Sequence, residues 1–560
     1  MIYKYFSSLS VVLYFLLSHL AAQNPSIVIS IDVSDTTGGA MTPFWAYFGY
    51  DEPNYTYTHD GKKLLTELQA LSYVPVHVRT HNLLTSRGNS AGPDLKWGYT
   101  DAYMVKADGS AIYNWVTVDS IIDTYIHSGM KPLMEIGFMP KDLSSHPEPY
   151  DHTWSKGGNL WTGWTYPPKD YKKWGDLVNA WVRHSMDRYG EQEVKTWLWE
   201  VWNEPDIPYW SGTLVEYLKL YDYAADGLKR ACPECRIGGP HTTSPRNPRA
   251  YNYLIQFIDH CLHGMNHATG TIGAPLDYVG FHAKGAPEMI DGHIRMNMGA
   301  QLNDIARGFE AVNAFPEIKN IPVIIGECDP EGCAACSVKR DPKYGYRNGM
   351  MYSSYTAASF ARIYQLMDQY HINLQGAVSW SFEFENQEWF AGFRDLATHG
   401  VNKPVLNVFR ILGKMKGRRL PVQADHVFNA DHIISNSIRL DPDIHAISST
   451  HHDTIHVMVW NYHDDDVIKM PASVLISLNG LNKNKYTCTT YRIDQSNNNS
   501  FEQWKSLGRP QVVNQKLYAE LEKAGTLKSS GKPIKIKVKN GKIEQRIDMP
   551  GQGVCLMQFH

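Results

Sequence analysis

From Phe44 to about Arg410, short apolar runs alternate with amphipathic stretches long enough to be helices. That alternation predicts a parallel sheet covered by helices. Most of eight strand–helix units can be placed. The strands are expected at 45–50, 74–79, 132–138, 197–204, 236–239, 278–282, 322–327 and 377–382. Helices are expected at 60–71, 168–188, 213–230 and 404–413, the last closing a barrel. The 168–188 stretch carries an apolar stripe through Trp174, Leu177, Val178, Trp181 and Val182, as a helix covering a sheet requires. The expected fold class is α/β, a (β/α)8 TIM barrel over residues 44–415.

After about residue 415 the texture changes to short alternating runs, such as Ile455 to Trp460, separated by turn-like clusters at 464–466 and 497–500. This predicts a C-terminal antiparallel β-sandwich over residues 416–560. The run 26–33 alternates like a strand but has no helix after it, so it does not fit a strand–helix unit. The segment 23–43 is therefore expected to join the sandwich. Residues 1–22 have the form of a cleavable signal peptide: Lys4, an apolar run from Val11 to Leu17, then Ala21 and Ala22. No cysteine follows this run until Cys232, which argues against a lipid anchor. A secreted or periplasmic location is expected.

The net charge of −3, with no basic or acidic stripe, gives no reason to expect nucleic acid or an anionic membrane as partner. No later stretch approaches the ~20 apolar residues of a membrane helix. The eight cysteines include two C-x-x-C pairs, Cys232/Cys235 and Cys333/Cys336. A four-cysteine zinc site is one reading of them. The wide gap between the pairs and the oxidising compartment favour local disulfides instead, so no metal and no cofactor are expected.

The chemistry is expected at two strand ends. Trp197 to Val201 is apolar and aromatic, and Pro205 stops it, leaving Asn203 and Glu204 at the carboxyl edge. Catalytic side chains gather at that edge in a parallel barrel. Glu327 likewise ends the apolar run that begins at Ile321. Retaining glycoside hydrolysis needs two carboxyls about 5–5.5 Å apart, one to protonate the leaving oxygen and one to attack the anomeric carbon. Two strand ends facing each other across a barrel mouth meet that need. Glu200 reads as a buried structural carboxylate.

Trp202-Asn203-Glu204-Pro205 resembles the acid/base motif of glycoside hydrolase family 39, retaining (β/α)8 enzymes that include β-xylosidases and α-L-iduronidases. Arg79-Thr80-His81-Asn82 resembles the end of that family's second strand. The run from Glu135 to Pro140 resembles its third, and Asp277 to Gly285 resembles the sixth strand of the iduronidases. The resemblance implies Glu204 as proton donor and Glu327 as nucleophile. It implies Asn203, His81, Arg79, His282, Lys284 and Trp380 as substrate-binding residues. Asn203 would donate to the sugar 2-OH, Arg79 would keep Glu327 ionised, and Trp380 would be a sugar platform.

The activity so implied is that of an exported retaining exo-glycosidase acting on plant or algal oligosaccharides or polysaccharides, as a β-xylosidase. The alternative is a uronidase, α-L-iduronidase-like or a β-glucuronidase, that uses Lys284 for the sugar carboxylate. A second alternative is a carbohydrate-binding barrel without catalysis. The three cysteines of the loop 328–336 depart from the pattern of the best-known family members. The sequence does not give the oligomeric state.

Overall fold

Eight parallel strands close into a barrel in the computed structural model, which describes residues 27–88, 98–152, 160–380, 382–425 and 428–560. The strands are β1 (Tyr47–Tyr50), β2 (His77–Thr80), β3 (Lys131–Ile136), β4 (Leu198–Val201), β5 (Arg236–Thr242), β6 (Tyr278–Lys284), β7 (Val323–Asp329) and β8 (Leu374–Trp380). Each pairs in parallel with the next, and β8 returns to β1 through Val378 opposite Tyr47. The signal-peptide stretch 1–22 lies outside the described residues. Among the described residues, no helix is long and apolar enough to cross a membrane.

The eight covering helices are α1 (His59–Gln69), α2 (Val116–His127), α3 (Tyr171–Tyr189), α4 (Leu214–Ala231), α5 (Pro248–His263), α6 (Met298–Asn313), α7 (Met350–Tyr370) and α8 (Pro404–Lys414). Local chemistry sets their starts. The Asp170 side chain accepts the backbone N–H groups of Lys172 and Lys173 at the head of α3, and Thr213 and Glu216 form a capping box on α4. Each helix buries one face against the barrel. Trp174, Leu177, Val178, Trp181 and Val182 of α3 are all fully buried, and Trp181 meets Trp199 of β4 edge-on at 5.3 Å. Each such aromatic stabilises the fold by roughly 1.5–3 kcal/mol.

Strand β2 begins at His77, later than the expected 74, because Pro75 has no N–H to give to a ladder. Strand β4 ends at Val201. Trp202 (φ 73°) and Glu204 (φ 47°) then adopt left-handed backbone, so the alternation from Glu200 does not carry through to Glu204.

Two further sheets pack beyond the barrel. A six-stranded antiparallel sheet contains Arg418–Leu420, Asp443–His451, Thr454–Tyr462, Lys485–Ile493, Ile534–Lys537 and Val554–Phe559. A four-stranded sheet contains Ile27–Asp32, Val422–Ala424, Ala472–Asn479 and Ile543–Met549. This part departs from the expected antiparallel sandwich in two ways. Ile27–Asp32 pairs in parallel with Ala472–Asn479, so its sheet is mixed. Two helices, Ser500–Ser506 and Gln515–Gly525, interrupt the six-stranded sheet between its strands 485–493 and 534–537. The Asn-rich cluster read as a turn bends through Asn498 and then caps a helix: the Asn499 side chain accepts the N–H of Glu502 at 3.1 Å.

The two parts share a core. Met458, Trp460 and Leu556 of the six-stranded sheet belong to the same apolar cluster as Phe360 and Ile363 of α7. The Arg362 guanidinium of α7 donates twice to the Asp443 carboxylate, at 2.7 and 2.9 Å.

Candidate active site

The carboxyl ends of the barrel strands surround a cavity of about 470 Å³. Its floor holds His81, Asn203, Glu204, Lys284, Glu327 and Trp380, and one wall is the loop from Gly332 to Cys336. A cavity of this size at this end of a barrel fits a small ligand.

Arg79 organises the floor from below. Its Nε–H donates to Glu200 Oε1 at 2.6 Å, and its Nη1–H to Glu327 Oε1 at 3.3 Å. Its Nη2–H groups donate to Asn203 Oδ1 at 3.0 Å and to Glu135 Oε2 at 3.3 Å. One fully buried cation therefore meets three carboxylates from three strands, as burial of such a charge requires. The bond to Asn203 Oδ1 fixes that amide so that its Nδ2–H groups are left for another acceptor. His81 sits against the same cluster: its Nε2 is 3.1 Å from Glu135 Oε2, and its Nδ1 is 2.9 Å from Asp51 Oδ1.

Glu204 and Glu327 have opposite environments. Lys284 Nζ donates to Glu327 Oε2 at 2.6 Å and to Asp329 Oδ2 at 2.5 Å. Burial pushes the Glu327 carboxyl up, but Lys284 and Arg79 outweigh it and hold it well below the usual carboxylate range. Glu204 has no comparable partner. Burial, with the negative charge of Glu327 behind it, pushes its carboxyl well above that range. Its side chain is 13% exposed. The two carboxyls are thus shifted in opposite directions, Glu204 toward the acid and Glu327 toward the anion. A Glu204 oxygen, a Glu327 oxygen and a ring nitrogen of His282 all lie within 4.8 Å of one another.

His282 stands between them. Its Nδ1 is 2.9 Å from Glu204 Oε1 and 3.7 Å from Glu327 Oε1. Among the described residues its Nε2 has no hydrogen-bond partner, so the ring's one proton belongs on Nδ1, donating to Glu204. Burial keeps this imidazole neutral. The three residues are ligand types for a metal ion. The Lys284 ammonium on Glu327 Oε2 already supplies the positive charge that such an ion would bring.

His241 buttresses the pair from the end of β5. Its carbonyl accepts the N–H of Glu204 at 3.0 Å, and its Nε2 lies 2.7 Å from Glu200 Oε2. The ring fits because β6 and β7 carry glycines beside it. A Cβ at Gly280 would lie 2.3 Å from His241 Cε1, and one at Gly326 would lie 2.1 Å from Nδ1.

Four of the expected sugar-binding residues, His81, Asn203, Lys284 and Trp380, line the cavity. Arg79 and His282 do not line it. Both are fully buried behind the carboxylates, because strand alternation turns Arg79 to the barrel axis and His282 is covered by Glu204 and Glu327. Both contact the glutamates: Arg79 donates to Glu327, and His282 Nδ1 lies against Glu204. Trp380 is only 2% exposed, with the Arg79 guanidinium 4.8 Å from its ring centroid and the His81 ring at 4.2 Å. Lys284 is not a solvated lysine: both of its close partners are carboxylates. Asp329, Glu135, Asp51 and His241 were not singled out from the sequence. Asp329 carries a signal, since it stands two residues after Glu327 on the same strand and so on the same face.

The wall loop is closed by a disulfide between Cys333 and Cys336, and a second joins Cys232 to Cys235. The other four cysteines are free and buried. Each C-x-x-C pair thus closes on itself. Arg347 holds the wall from behind, donating to the carbonyls of Cys336 at 2.6 Å and Cys333 at 2.7 Å, and pairing with Glu331 at 2.7 Å.

A sequence model of the glycosyl hydrolases family 39 matches residues 28–540. The chain belongs to glycosyl hydrolases family 39. This family 39 chain is 29% identical over 433 residues to a β-xylosidase of Caldicellulosiruptor saccharolyticus, covering 75% of this chain and 78% of that protein. It is 24% identical over 534 residues to the α-L-iduronidase of Mus musculus, covering 89% of this chain and 75% of that one. In fold it resembles the GH39 enzyme from Xanthomonas axonopodis pv. citri, with a TM-score of 0.72 at 19% identity, covering 97% of this chain and 98% of that chain. It is a glycoside hydrolase on a TIM barrel.

Proposed function

We propose that this family 39 enzyme is an exo-acting β-xylosidase that hydrolyses with retention, Glu327 being the nucleophile and Glu204 the acid/base. The observation that carries the reading is the pair itself: two carboxyls with oxygens within 4.8 Å of each other at the cavity floor, one pushed up by burial and the other held down by Lys284 and Arg79. Retaining enzymes need carboxyls about 5–5.5 Å apart, whereas inverting ones need about 6.5–9.5 Å to admit a water. Glu327 attacks the anomeric carbon as Glu204 gives its proton to the glycosidic oxygen. Glu204, now a base, then takes a proton from the water that releases the sugar. Asn203 Nδ2 donates to the 2-OH.

Lys284 supports xylose over a uronic acid. Its ammonium is bound to Glu327 and Asp329, so a sugar carboxylate would have to compete with both, while xylose has no C5 substituent to place there. The β-xylosidase of C. saccharolyticus is the relative from which the sugar is carried over. The two disulfides suit the oxidising compartment implied by export through residues 1–22.

The test is a panel of aryl glycosides: β-xyloside, α-L-iduronide, β-glucuronide, β-galactoside and α-L-arabinoside. The product anomer is followed by NMR before mutarotation. The expected result is fastest release from the β-xyloside with β-xylose formed first. Preference for a uronide would replace the sugar assignment, and an inverted first product would remove the mechanism.

A further inference from the structure

Away from the cavity, in the helix layer, Asp222, His260 and His267 converge. Asp222 is in the middle of α4 and fully buried. His260 is in the last turn of α5, and His267 is on the loop after that helix. His260 Nε2 lies 3.0 and 3.1 Å from the two Asp222 oxygens, and His267 Nδ1 lies 2.8 Å from Oδ2. The three ligand atoms are all within 4.8 Å of one another. We propose that this trio is a structural binding site for a divalent first-row transition ion of the zinc type, joining α4, α5 and the loop that leads to β6.

The donor set fits. Two imidazole nitrogens and a carboxylate oxygen are common zinc ligands, and a water can complete the tetrahedron. His267 is exposed, so its side of the site is open to solvent and gives an ion a way in. The surroundings already orient the ligands as metal sites require. The backbone N–H of His267 donates to Asp222 Oδ2 at 2.7 Å. Asn266 Oδ1 accepts the N–H groups of Ala268 at 2.9 Å and Thr269 at 3.1 Å, which fixes the loop that carries His267. The neighbouring Cys261 is buried and is not one of the three groups whose ligand atoms converge.

A hydrogen-bonded triad is the competing account. It needs an N–H on each imidazole, where a metal needs a lone pair on each. In both cases the same two nitrogens aim at one carboxylate, and metal binding decides between them. The site is about 40 residues apart in sequence at its ends, 222 to 260 and 267, so no local spacing announces it.

The experiment uses full-length protein dialysed against a chelator, then titrated with Zn2+ alone and with Co2+ alone. One equivalent should bind, raise the melting temperature by a few degrees, and give visible Co2+ d–d bands. His267→Gln keeps a hydrogen-bond donor beside Asp222 but has no ring nitrogen to offer. It should fold normally and melt where the metal-free wild type melts. It should bind Zn2+ at least ~100-fold more weakly, since even groups behind metal ligands change affinity 10–100-fold. Glu327→Gln, which alters the catalytic cluster, should leave the stoichiometry at one. The proposal is overturned if wild type binds no equivalent of either ion, or if His267→Gln binds as tightly as wild type. It is also overturned if Glu327→Gln abolishes binding. Of these results only the last bears on Glu204 and Glu327, because it would place the ion among Glu204, His282 and Glu327.

Discussion

Lys284 Nζ lies 2.6 Å from Glu327 Oε2, which makes the proposed nucleophile one half of a buried ion pair. The pair lowers the Glu327 carboxyl and so keeps it ionised for attack. Removal of the ammonium should leave the burial penalty less opposed and raise that carboxyl. The acid limb of the kcat/KM–pH profile, which reports deprotonation of the nucleophile, should then move to higher pH in Lys284→Ala. The rate at its optimum should fall by about 10²–10³-fold, the usual effect of removing one group that stabilises charge in a buried site. A profile unchanged in position would show that Lys284 does not control Glu327.

Glu204 should be needed in proportion to how poor the leaving group is. A general acid contributes about 10²–10⁴-fold when the leaving oxygen needs its proton. Glu204→Ala should thus lose most activity on xylo-oligosaccharides and little of the first step on an activated aryl xyloside. Azide needs no base, so it should restore turnover of the aryl substrate and give a β-glycosyl azide. Absence of rescue in a folded variant, or an α-azide, would remove Glu204 from the acid/base role.

The two strand ends were legible because local chemistry marks them: Pro205 stops one apolar run, and Glu327 ends another. The barrel was legible for the same reason, from runs such as Val323 to Gly326 between amphipathic stretches. Of what holds the two glutamates in opposite states, Arg79 beside Glu327 was expected, whereas Lys284 on Glu327 and the carboxylates that Arg79 also meets were not. Arg79 meets Glu135, Glu200 and Glu327, which are 56, 121 and 248 residues away, and no spacing rule links them. The depth of Arg79 and His282, both fully buried behind the glutamates, was not legible either, because alternation along a strand gives the face and not the depth. The cluster at 497–500 both turns the chain and starts a helix, and the second part was missed because an asparagine that caps a helix looks, in sequence, like one that makes a turn.

The packing of His241 predicts a stability effect remote from any sugar. Gly280→Ala would place a Cβ 2.3 Å from the His241 ring, with Gly326 already packed against it. Overpacking of this kind costs typically 1–3 kcal/mol. The displaced His241 would also move the carbonyl that holds the Glu204 N–H. Urea unfolding should show a lower midpoint with little change in slope, and kcat should fall with it. A variant as stable and active as wild type would contradict the buttressing role.

The disulfide wall predicts an effect on longer substrates. Arg347 keeps its bonds to the loop carbonyls when the sulfurs are separated, so Cys333→Ser/Cys336→Ser should fold. The loosened wall should raise KM for xylotriose several-fold more than for an aryl xyloside. The zinc content should equal that of wild type. Loss of a bound zinc together with activity would mean that these cysteines are metal ligands.

The central claim is that Glu327 forms the covalent bond to the sugar, and it is tested most directly by trapping that bond. A 2-deoxy-2-fluoro-β-xyloside with a good leaving group slows both steps, the second more, so the glycosyl-enzyme accumulates. Peptide mapping by mass spectrometry should find one adduct per chain, on Glu327, and none in Glu327→Gln. An adduct on Glu204 or on any other residue, or inactivation that persists in Glu327→Gln, would contradict the account.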